Sequence, residues 1–512
     1  QPLDQRRVIP RDLRLVLALC VIVGGFLAIG VLVLLAWTHI GDRYQVDARD
    51  GTFLAMARAV DQGMMYPRLY DPETQSFGGA RIMPVRLMLN AFASRVTGEY
   101  LSAAKYVSAA SMFLLVFLMG LVMGRLKCST VAAIGAIGAA LMTQPMLIGA
   151  TSVQMAALPT ALQLMAIMLF VNRKGDSVKV VRRNLFFASL ACTAAIFCRM
   201  DALWGSITIM LWLTVRQPRE LWIFLGYQIG MVLVAGAFFH LITDGRFVDV
   251  MFRQSLTETG DVGAVWRVPL LLFMLLSDHA PATWVLLPLA SFGLILRTMN
   301  NRFHIVHVAL VCSVVILLVT LAKSGTSPHS MIDVIVLGAI CAADLWRTVQ
   351  NGDKRMDAAQ AAMSVMFLWS ILGGLFMHVR GDALASLNTV LFDERNPDLD
   401  RRPLVGWLTS EQIFLSEDPY LDVELDLNPV VYDAKALKRL GDQQPGLVET
   451  LVRRLENREF EIVVLLRELA EEKSWYAKVH FGPKVSEAIR RNYVYRGKYD
   501  SYHLYVPSDE LE

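Results

Sequence analysis

Long apolar runs limit the folds open to this sequence more than any other feature. They recur between residues 13 and 378, and several reach the roughly 20 residues that a helix needs to cross a bilayer core. Hydrophobic residues make up 55% of the 512 residues, and only 19% are charged. Past residue 380 the composition becomes that of an ordinary soluble domain. The sequence predicts a mainly α, polytopic transmembrane helical bundle over residues 1–380 and a small α/β domain over 381–512.

The basic residues predict how the bundle is oriented. Lys and Arg concentrate on the cytoplasmic side of membrane proteins, and RRVIPRDLR precedes the first run. That run lacks a small-residue cleavage site, so we expect a retained helix rather than a signal peptide. With a cytoplasmic N-terminus, about eleven crossings leave residues 381–512 outside the membrane. The predicted helices lie at about 13–38, 103–124, 129–148, 153–172, 221–242, 281–297, 303–323, 330–346 and 358–378, with a hairpin of two short helices within 184–219.

The long outer loop, 39–102, contains two amphipathic segments. ARDGTFLAMARAVDQG and IMPVRLMLNAFASRVTG both place apolar side chains at helical spacing. We therefore expect two interfacial helices that lie on the membrane. Asp47, Asp50 and Arg81 would lie at the ends of these helices, where Arg81 could also serve as a membrane anchor.

Further ionisable residues are predicted at the same outer face. They lie at the apex of the hairpin, at the end of the outer segment 244–280, and in the loop KSGTSPHSM. Ionisable groups near membrane depth are costly and usually have a function. The residues concerned are Arg199, Asp201, Asp278, His279, Lys323 and His329.

Four stretches, in this order and topology, resemble the GT-C family of integral membrane glycosyltransferases. DARDGTFLAMARAVDQGMMYP is similar to the family's acidic motif leading into an aromatic helix, and FGGARIMPVRLMLNAFASRVTG to its second juxtamembrane helix. FCRMDALWG resembles the family's Arg-x-acid apex, and SPHSMIDVIVLGAICAADL the late helix whose outer end helps bind a lipid phosphate. Many relatives have adjacent acids, whereas here Asp47 and Asp50 are three residues apart. Either aspartate could match the catalytic acid.

The resemblance implies an inverting glycosyltransferase. It would move a sugar from a polyprenyl-phosphate carrier to a hydroxyl of an envelope glycan, lipid or protein acceptor, on the outer side of the membrane. A carboxylate would take the proton of the hydroxyl, and cations would hold the leaving phosphate. Asp50 is the preferred base and Asp47 the second choice. The predicted phosphate ligands are Arg199, Arg81, His329 and Lys323, with Asp201, Asp278 and His279 as other cavity residues.

Partners and cofactors follow from the same reasoning. The expected partners are the lipid-linked donor, the acceptor and membrane lipids, and the protein would lie in a bacterial inner membrane. The net charge of +3 is too small to indicate nucleic acid. No cluster of three metal ligands is visible, so no cofactor is assigned, and a divalent cation (Mg or Mn) stays an open option. The six cysteines lie in or beside apolar runs, and none lies in the tail.

Ordinary structural roles compete with each assignment. Asp50 could cap a helix, Asp47 could belong to a solvated loop, Arg199 and Asp201 could form a structural ion pair, and His329 could mark a helix end. Other functions also compete: a transporter or flippase for a lipid-linked saccharide, an oligosaccharide ligase or polymerase-like enzyme, or a non-enzymatic envelope assembly protein. A transporter predicts polar residues spread through mid-membrane helices, whereas here they gather at one face.

The tail alternates strand and helix signals. IFLSEDP, NPVVYDA and FEIVVLL read as strands, KALKRL and QPGLVETLVRRLENR as helices, and NYVYRGKYDSYHLYVP as a terminal hairpin. The alternation predicts a mainly parallel sheet. The sequence contains no glycine-rich phosphate loop there. Trp475 and the tyrosines could stack on an acceptor sugar or pack within the domain.

Overall fold

The structure, a computed structural model, describes most of the chain. The described residues are 11–41, 48–171, 178–253, 267–300, 304–322, 328–350, 355–379, 408, 412–470, 473–499 and 502–508. The predicted boundary near residue 380 lies outside them.

Fifteen helices precede that boundary in the described part of the chain. They are α1 (Arg11–Gly41), α2 (Ala48–Asp61), α3 (Pro84–Thr97), α4 (Tyr100–Arg125), α5 (Thr130–Leu141), α6 (Gln144–Thr151), α7 (Ala157–Met168), α8 (Val178–Cys198), α9 (Trp204–Arg216), α10 (Pro218–Ile242), α11 (Val268–His279), α12 (Thr283–Met299), α13 (Ile305–Leu321), α14 (Ile332–Gln350) and α15 (Arg355–Gly374). Shorter turns are the helical turn Arg246–Val248, the π-helices Asp249–Arg253 and Leu375–Val379, and the 3₁₀ helix Pro328–Met331.

Several of these helices have the length and composition of membrane spans. Among the described residues five qualify (α1, α4, α8, α10 and the segment Ala358–Met377), or up to seven if the bent pairs α5–α6 and α11–α12 each count as one. α10 exposes Trp222 by 73% and Leu241 by 75%, an apolar face suited to lipid. The helical bundle is confirmed, and each predicted crossing coincides with a helix. The count of eleven crossings stays a prediction.

Some helices are shorter or more bent than predicted. The helix predicted over 129–148 bends by 75° between α5 and α6, because Pro145 lacks the N–H that would continue the first helix. The helix predicted over 153–172 covers only the 12 residues of α7. The hairpin does not contain two short helices, since its first arm, α8, has 21 residues.

The two predicted juxtamembrane helices exist, but one is placed differently. α3 starts with Pro84 at its first turn and ends at Gly98 with φ 79°. It exposes Phe92 by 68% and Val96 by 80%, as an interfacial helix would. α2 is instead buried over residues 51–59. The prediction that α2 lies on the membrane is therefore wrong, because α3, α4 and a helix from the tail pack around it.

The tail forms a four-stranded sheet with helices. Its elements are β1 (Phe414–Ser416), α16 (Pro419–Glu424), α17 (Ala434–Gln443), α18 (Pro445–Glu456), β2 (Ile462–Leu465), α19 (Lys473–Lys478), α20 (Pro483–Asn492), β3 (Tyr493–Tyr499) and β4 (Tyr502–Pro507). The predicted helices and terminal hairpin are confirmed, with strand order β1-β2-β4-β3.

The expectation of a mainly parallel sheet is wrong. Among the strands of the described residues only β1 and β2 pair in parallel, whereas β4 pairs antiparallel with both β2 and β3. The terminal hairpin is a local, antiparallel unit, and it occupies the edge of β2 that a further parallel strand would need. The segment NPVVYDA is not a strand either. Its Val431 forms an isolated bridge to Phe77, in the connection between α2 and α3.

Candidate active site

Asp50 lies in the first turn of α2 and its side chain is held in the interior. The residue is only 1% exposed, and as the third residue of α2 it lies inside the helix rather than at the cap. Gln154 Nε2 donates a hydrogen bond of 2.9 Å to Asp50 Oδ1. A buried carboxylate is tolerated only with such partners. The structure therefore places an oriented carboxylate in the protein interior.

The turn between α6 and α7 connects this carboxylate to a cation. Met155, next to Gln154, adopts φ 51°, and its N–H donates to Ser108 Oγ at 3.0 Å, which ties the turn to α4. The carbonyl of Gln154 accepts a hydrogen bond of 2.7 Å from Arg86 Nη1. One residue thus orients Asp50 through its side chain and Arg86 through its backbone.

The turn between α8 and α9 holds a second guanidinium. Arg199 Nε donates to Asp201 Oδ1 at 2.7 Å, and Arg199 Nη2 donates to Asp333 Oδ2. Asp333 is 4% exposed, and its other oxygen accepts from Thr160 Oγ1 at 2.5 Å. The remaining nitrogen, Arg199 Nη1, is buried without a hydrogen-bond partner among the described residues. It is a charged donor that a bound anion would satisfy.

The two guanidinium groups share one electrostatic environment. α3 packs against α8, and burial lowers the pKa of Arg86. The positive charge of Arg199 lowers this pKa further, whereas the negative charge of Asp201 raises it. Arg86 Nε, like Arg199 Nη1, is buried with no hydrogen-bond partner in the described part of the chain. Two buried guanidinium donors thus remain available, and one of them belongs to the arginine that bonds to Gln154.

Of the other predicted phosphate ligands, Arg81 and His329 lie among the described residues. Arg81 is half-buried in the extended segment just before α3. His329 is also half-buried, in the 3₁₀ helix before α14, which packs against α6. Asp47 and Lys323 lie outside the described residues. For all of these the role in phosphate binding or catalysis stays a prediction.

Asp278 and His279 lie at the end of α11, and their predicted place in the cavity stays a prediction. Asp278 is exposed at the end of α11, and the ring of His279 contacts Gln144 Oε1 at the start of α6. Since α6 has eight residues, about 12 Å separate that end from the one nearer Gln154. Within the described ranges no three metal-binding side chains come together.

Four important residues were not identified from the sequence. Gln154 and Thr160 are uncharged and lie in or beside an apolar run, so no pattern singles them out. Asp333 lies inside the quoted stretch SPHSMIDVIVLGAICAADL, where an acid in a membrane helix is the available signal. Arg86 lies on the second juxtamembrane helix and resembles an ordinary interfacial cation.

Comparison with known proteins supports the fold. No family model and no curated protein matches the sequence. Among solved structures, ArnT from Cupriavidus metallidurans in the apo state matches with a TM-score of 0.61 at 13% identity, covering 95% of this chain and 98% of that one. ArnT bound to undecaprenyl phosphate matches with a TM-score of 0.56 at 12% identity, covering 94% and 97%.

A third structure shares the architecture. The oligosaccharyltransferase of Archaeoglobus fulgidus in the apo form matches with a TM-score of 0.56 at 11% identity, covering 96% of this chain and 74% of that one. At these identities the likeness establishes the fold. This chain has the GT-C fold of integral membrane glycosyltransferases, as the sequence resemblance implied.

Proposed function

We propose that this protein is an inverting glycosyltransferase that moves a sugar from a polyprenyl-phosphate carrier to a hydroxyl group. The observation that carries the proposal is the buried Asp50 carboxylate, connected through Gln154 to Arg86, whose helix α3 packs against the helix α8 that leads to Arg199. The shared fold with ArnT, which has been crystallised with undecaprenyl phosphate, supports a lipid-phosphate donor. The acceptor would be an envelope glycan, a lipid or a protein.

Asp50 would act as the general base. An acceptor hydroxyl is a weak nucleophile, and a carboxylate that removes its proton during attack accelerates transfer by about 10²–10⁴-fold. Gln154 would hold the carboxylate in position. The predicted second choice, Asp47, precedes α2 by one residue and would orient the acceptor if Asp50 is the base.

Arg199 and Arg86 would hold the leaving phosphate. A lipid phosphate leaves as a stable anion, so it needs charge-assisted hydrogen bonds rather than a strong acid. Arg199 Nη1 and Arg86 Nε are suitable donors, and Arg81, His329 and Lys323 would be additional ligands. A single displacement by a base-activated hydroxyl inverts the anomeric carbon.

The distribution of basic residues supports an orientation of the protein in the membrane. The N-terminus would lie in the cytoplasm of a bacterial cell, and the bundle in its inner membrane. Residues 381–512 would then form an extracytoplasmic domain, on the same side as the turn holding Arg199. No step here requires a metal ion.

The test is a transfer assay with purified protein. Polyprenyl-phosphate hexoses and pentoses are supplied with envelope lipid and glycan acceptors, and released polyprenyl phosphate is measured by mass spectrometry. We expect release from a monophosphate donor and an inverted anomeric carbon in the product, read by NMR. Retention of configuration would contradict the mechanism.

A polyprenyl-diphosphate oligosaccharide serves as the competing donor in the same assay. The match to an oligosaccharyltransferase makes it the relevant alternative. Turnover of this donor alone would replace the proposed function with oligosaccharide transfer. Transport without transfer, measured in proteoliposomes, would favour a flippase.

A further inference from the structure

The tail makes polar contacts with the helix that carries Asp50. Arg58, two turns after Asp50 on α2, is only 6% exposed. Its Nη1 donates to the carbonyls of Val423, at 3.2 Å, and Leu427, at 2.8 Å. Its Nη2 donates to Asp426 Oδ1 at 2.8 Å. The tail thus receives three hydrogen bonds from one side chain of α2.

These acceptors belong to a well-defined helix end. After α16, the N–H of Leu427 bonds to the carbonyl of Asp422 and the N–H of Asp426 to that of Val423, the pattern of a Schellman motif. Asp426 takes the left-handed position with φ 61°. A cation is favourable at the carbonyl end of a helix. The Asp426 side chain is 98% exposed, so the two carbonyl bonds matter more than the ion pair.

A second contact with the tail comes from the chain segment that follows α2. In the connection to α3, the Phe77 N–H donates to the Val430 carbonyl at 2.8 Å, and the Phe77 carbonyl accepts from the Tyr432 N–H at 2.9 Å. The Phe77 ring is 1% exposed and lies in the hydrophobic core of the tail. The connection is therefore built into the tail as a short strand would be.

Apolar packing completes the contact. Phe53 and Met56 of α2 belong to one buried cluster with Tyr420 and Tyr432 of the tail. Together with α3 and α4, α16 therefore surrounds α2.

From these contacts we infer that the tail positions the proposed base, and that Arg58 is a positioning residue for the proposed reaction. Arg58 lies eight residues, about 12 Å along the helix axis, from Asp50, so it acts through α2 rather than on substrate. A displacement of about 1 Å in a reacting group can cost about 10²-fold in rate. The inference rests on the proposed function. It gives the tail a role in catalysis that does not require the tail to bind the acceptor.

The test compares Arg58→Met and Arg58→Lys with Arg490→Met. Arg490 is a tail arginine whose ion pair with Glu487 is surface-exposed, so its loss should change little. For Arg58→Met we expect kcat per folded molecule to fall by about 10–100-fold. KM for the donor and the Kd of undecaprenyl phosphate should stay within about twofold, because the phosphate ligands lie on other helices. Arg58→Lys keeps the charge and one donor direction, and should recover part of kcat.

Hydrogen exchange provides a readout that needs no substrate. In Arg58→Met the amides of residues 50–60 should exchange about tenfold faster or more, whereas those of α14 should not change. Unchanged exchange in α2, or parental kcat with only a lower unfolding temperature, would overturn the inference. If the parent protein transfers no sugar, the proposed function fails by itself, and the exchange data still decide whether Arg58 holds α2.

Discussion

Replacing Arg199 by Gln should weaken binding of a polyprenyl phosphate while sparing binding of the lipid chain. Two of the three guanidinium nitrogens already bond to Asp201 and Asp333. The third, Nη1, is buried and has no partner among the described residues. The variant therefore removes one charge-assisted bond to the phosphate.

The size of the effect follows from that single bond. A hydrogen bond to a charged group contributes about 1.5–3 kcal/mol, which corresponds to an increase in Kd of about 10- to 150-fold. The two aspartates offset part of the Arg199 charge, so we expect the lower half of this range. Arg86 would still contact the phosphate, which is why binding should weaken rather than disappear.

The assay measures the Kd of undecaprenyl phosphate and of undecaprenol, which lacks the phosphate, in the same detergent. Arg219→Gln is the matched control, since Arg219 is exposed and lies beyond the far end of α9, about 20 Å from Arg199. Equal Kd values for parent and Arg199→Gln would refute the assignment. An equal loss for undecaprenol would also refute it, since that result would mean general damage to the site. Arg199→Lys, which keeps the charge, should lose less affinity.

Three further predictions concern the tail. Phe77→Ala should destabilise the tail by about 3–5 kcal/mol, seen as earlier thermal unfolding and faster proteolysis of residues 412–508; an unchanged transition would contradict its burial. Burial, reinforced by the charge of Asp418, raises the pKa of Asp422 well above its ordinary 3.8. The folded state therefore binds the proton of the Asp422 carboxyl more tightly than the unfolded state does, so the free energy of unfolding should fall as pH rises above about 4. Asp422→Asn should remove this pH dependence, and an unchanged dependence would mean that other groups cause it. Glu417→Gln should cost about 1–3 kcal/mol, because its carboxylate accepts from three donors, including the ring of His480; chemical denaturation measures the loss, and a neutral result would contradict the network.

Local patterns were sufficient to predict most helices. Each crossing predicted from an apolar run coincides with a helix, since lipid permits few alternatives, whereas α11 was not among the predicted crossings. Basic residues on both flanks of 184–219 predicted a hairpin, and its turn does hold Arg199. Helix lengths were less accurate where a proline such as Pro145 ends one helix and begins another.

The partners within the site could not be predicted from local patterns. Asp50 and Gln154 are 104 residues apart in the chain, and Arg199 and Asp333 are 134 apart. Such pairings depend on how the helices pack, and no periodicity within one segment encodes them. Asp50 and Arg199 could be recognised from the sequence as candidate site residues. Gln154, which orients Asp50, and Asp333, which binds Arg199, could not.

The burial of α2 has the same explanation. Its apolar positions fit an interfacial helix as well as a buried one, and the packing of α3, α4 and α16 around it, together with the Arg58 contact, decides between them. The sheet was mispredicted because a run such as IFLSEDP indicates a strand but not its neighbour. The prediction of parallel pairing is correct for β1 and β2, and the antiparallel terminal hairpin forms the rest of the sheet.

The most direct test is the turnover number of Asp50→Asn. The amide keeps the shape of the side chain and its contact with Gln154 but cannot accept a proton, so kcat should fall by about 10²–10⁴-fold with little change in donor Kd. Asp442→Asn, in an exposed ion pair of the tail, should keep parental turnover, and Asp47→Asn should retain more activity than Asp50→Asn. Parental turnover in folded Asp50→Asn would contradict the account.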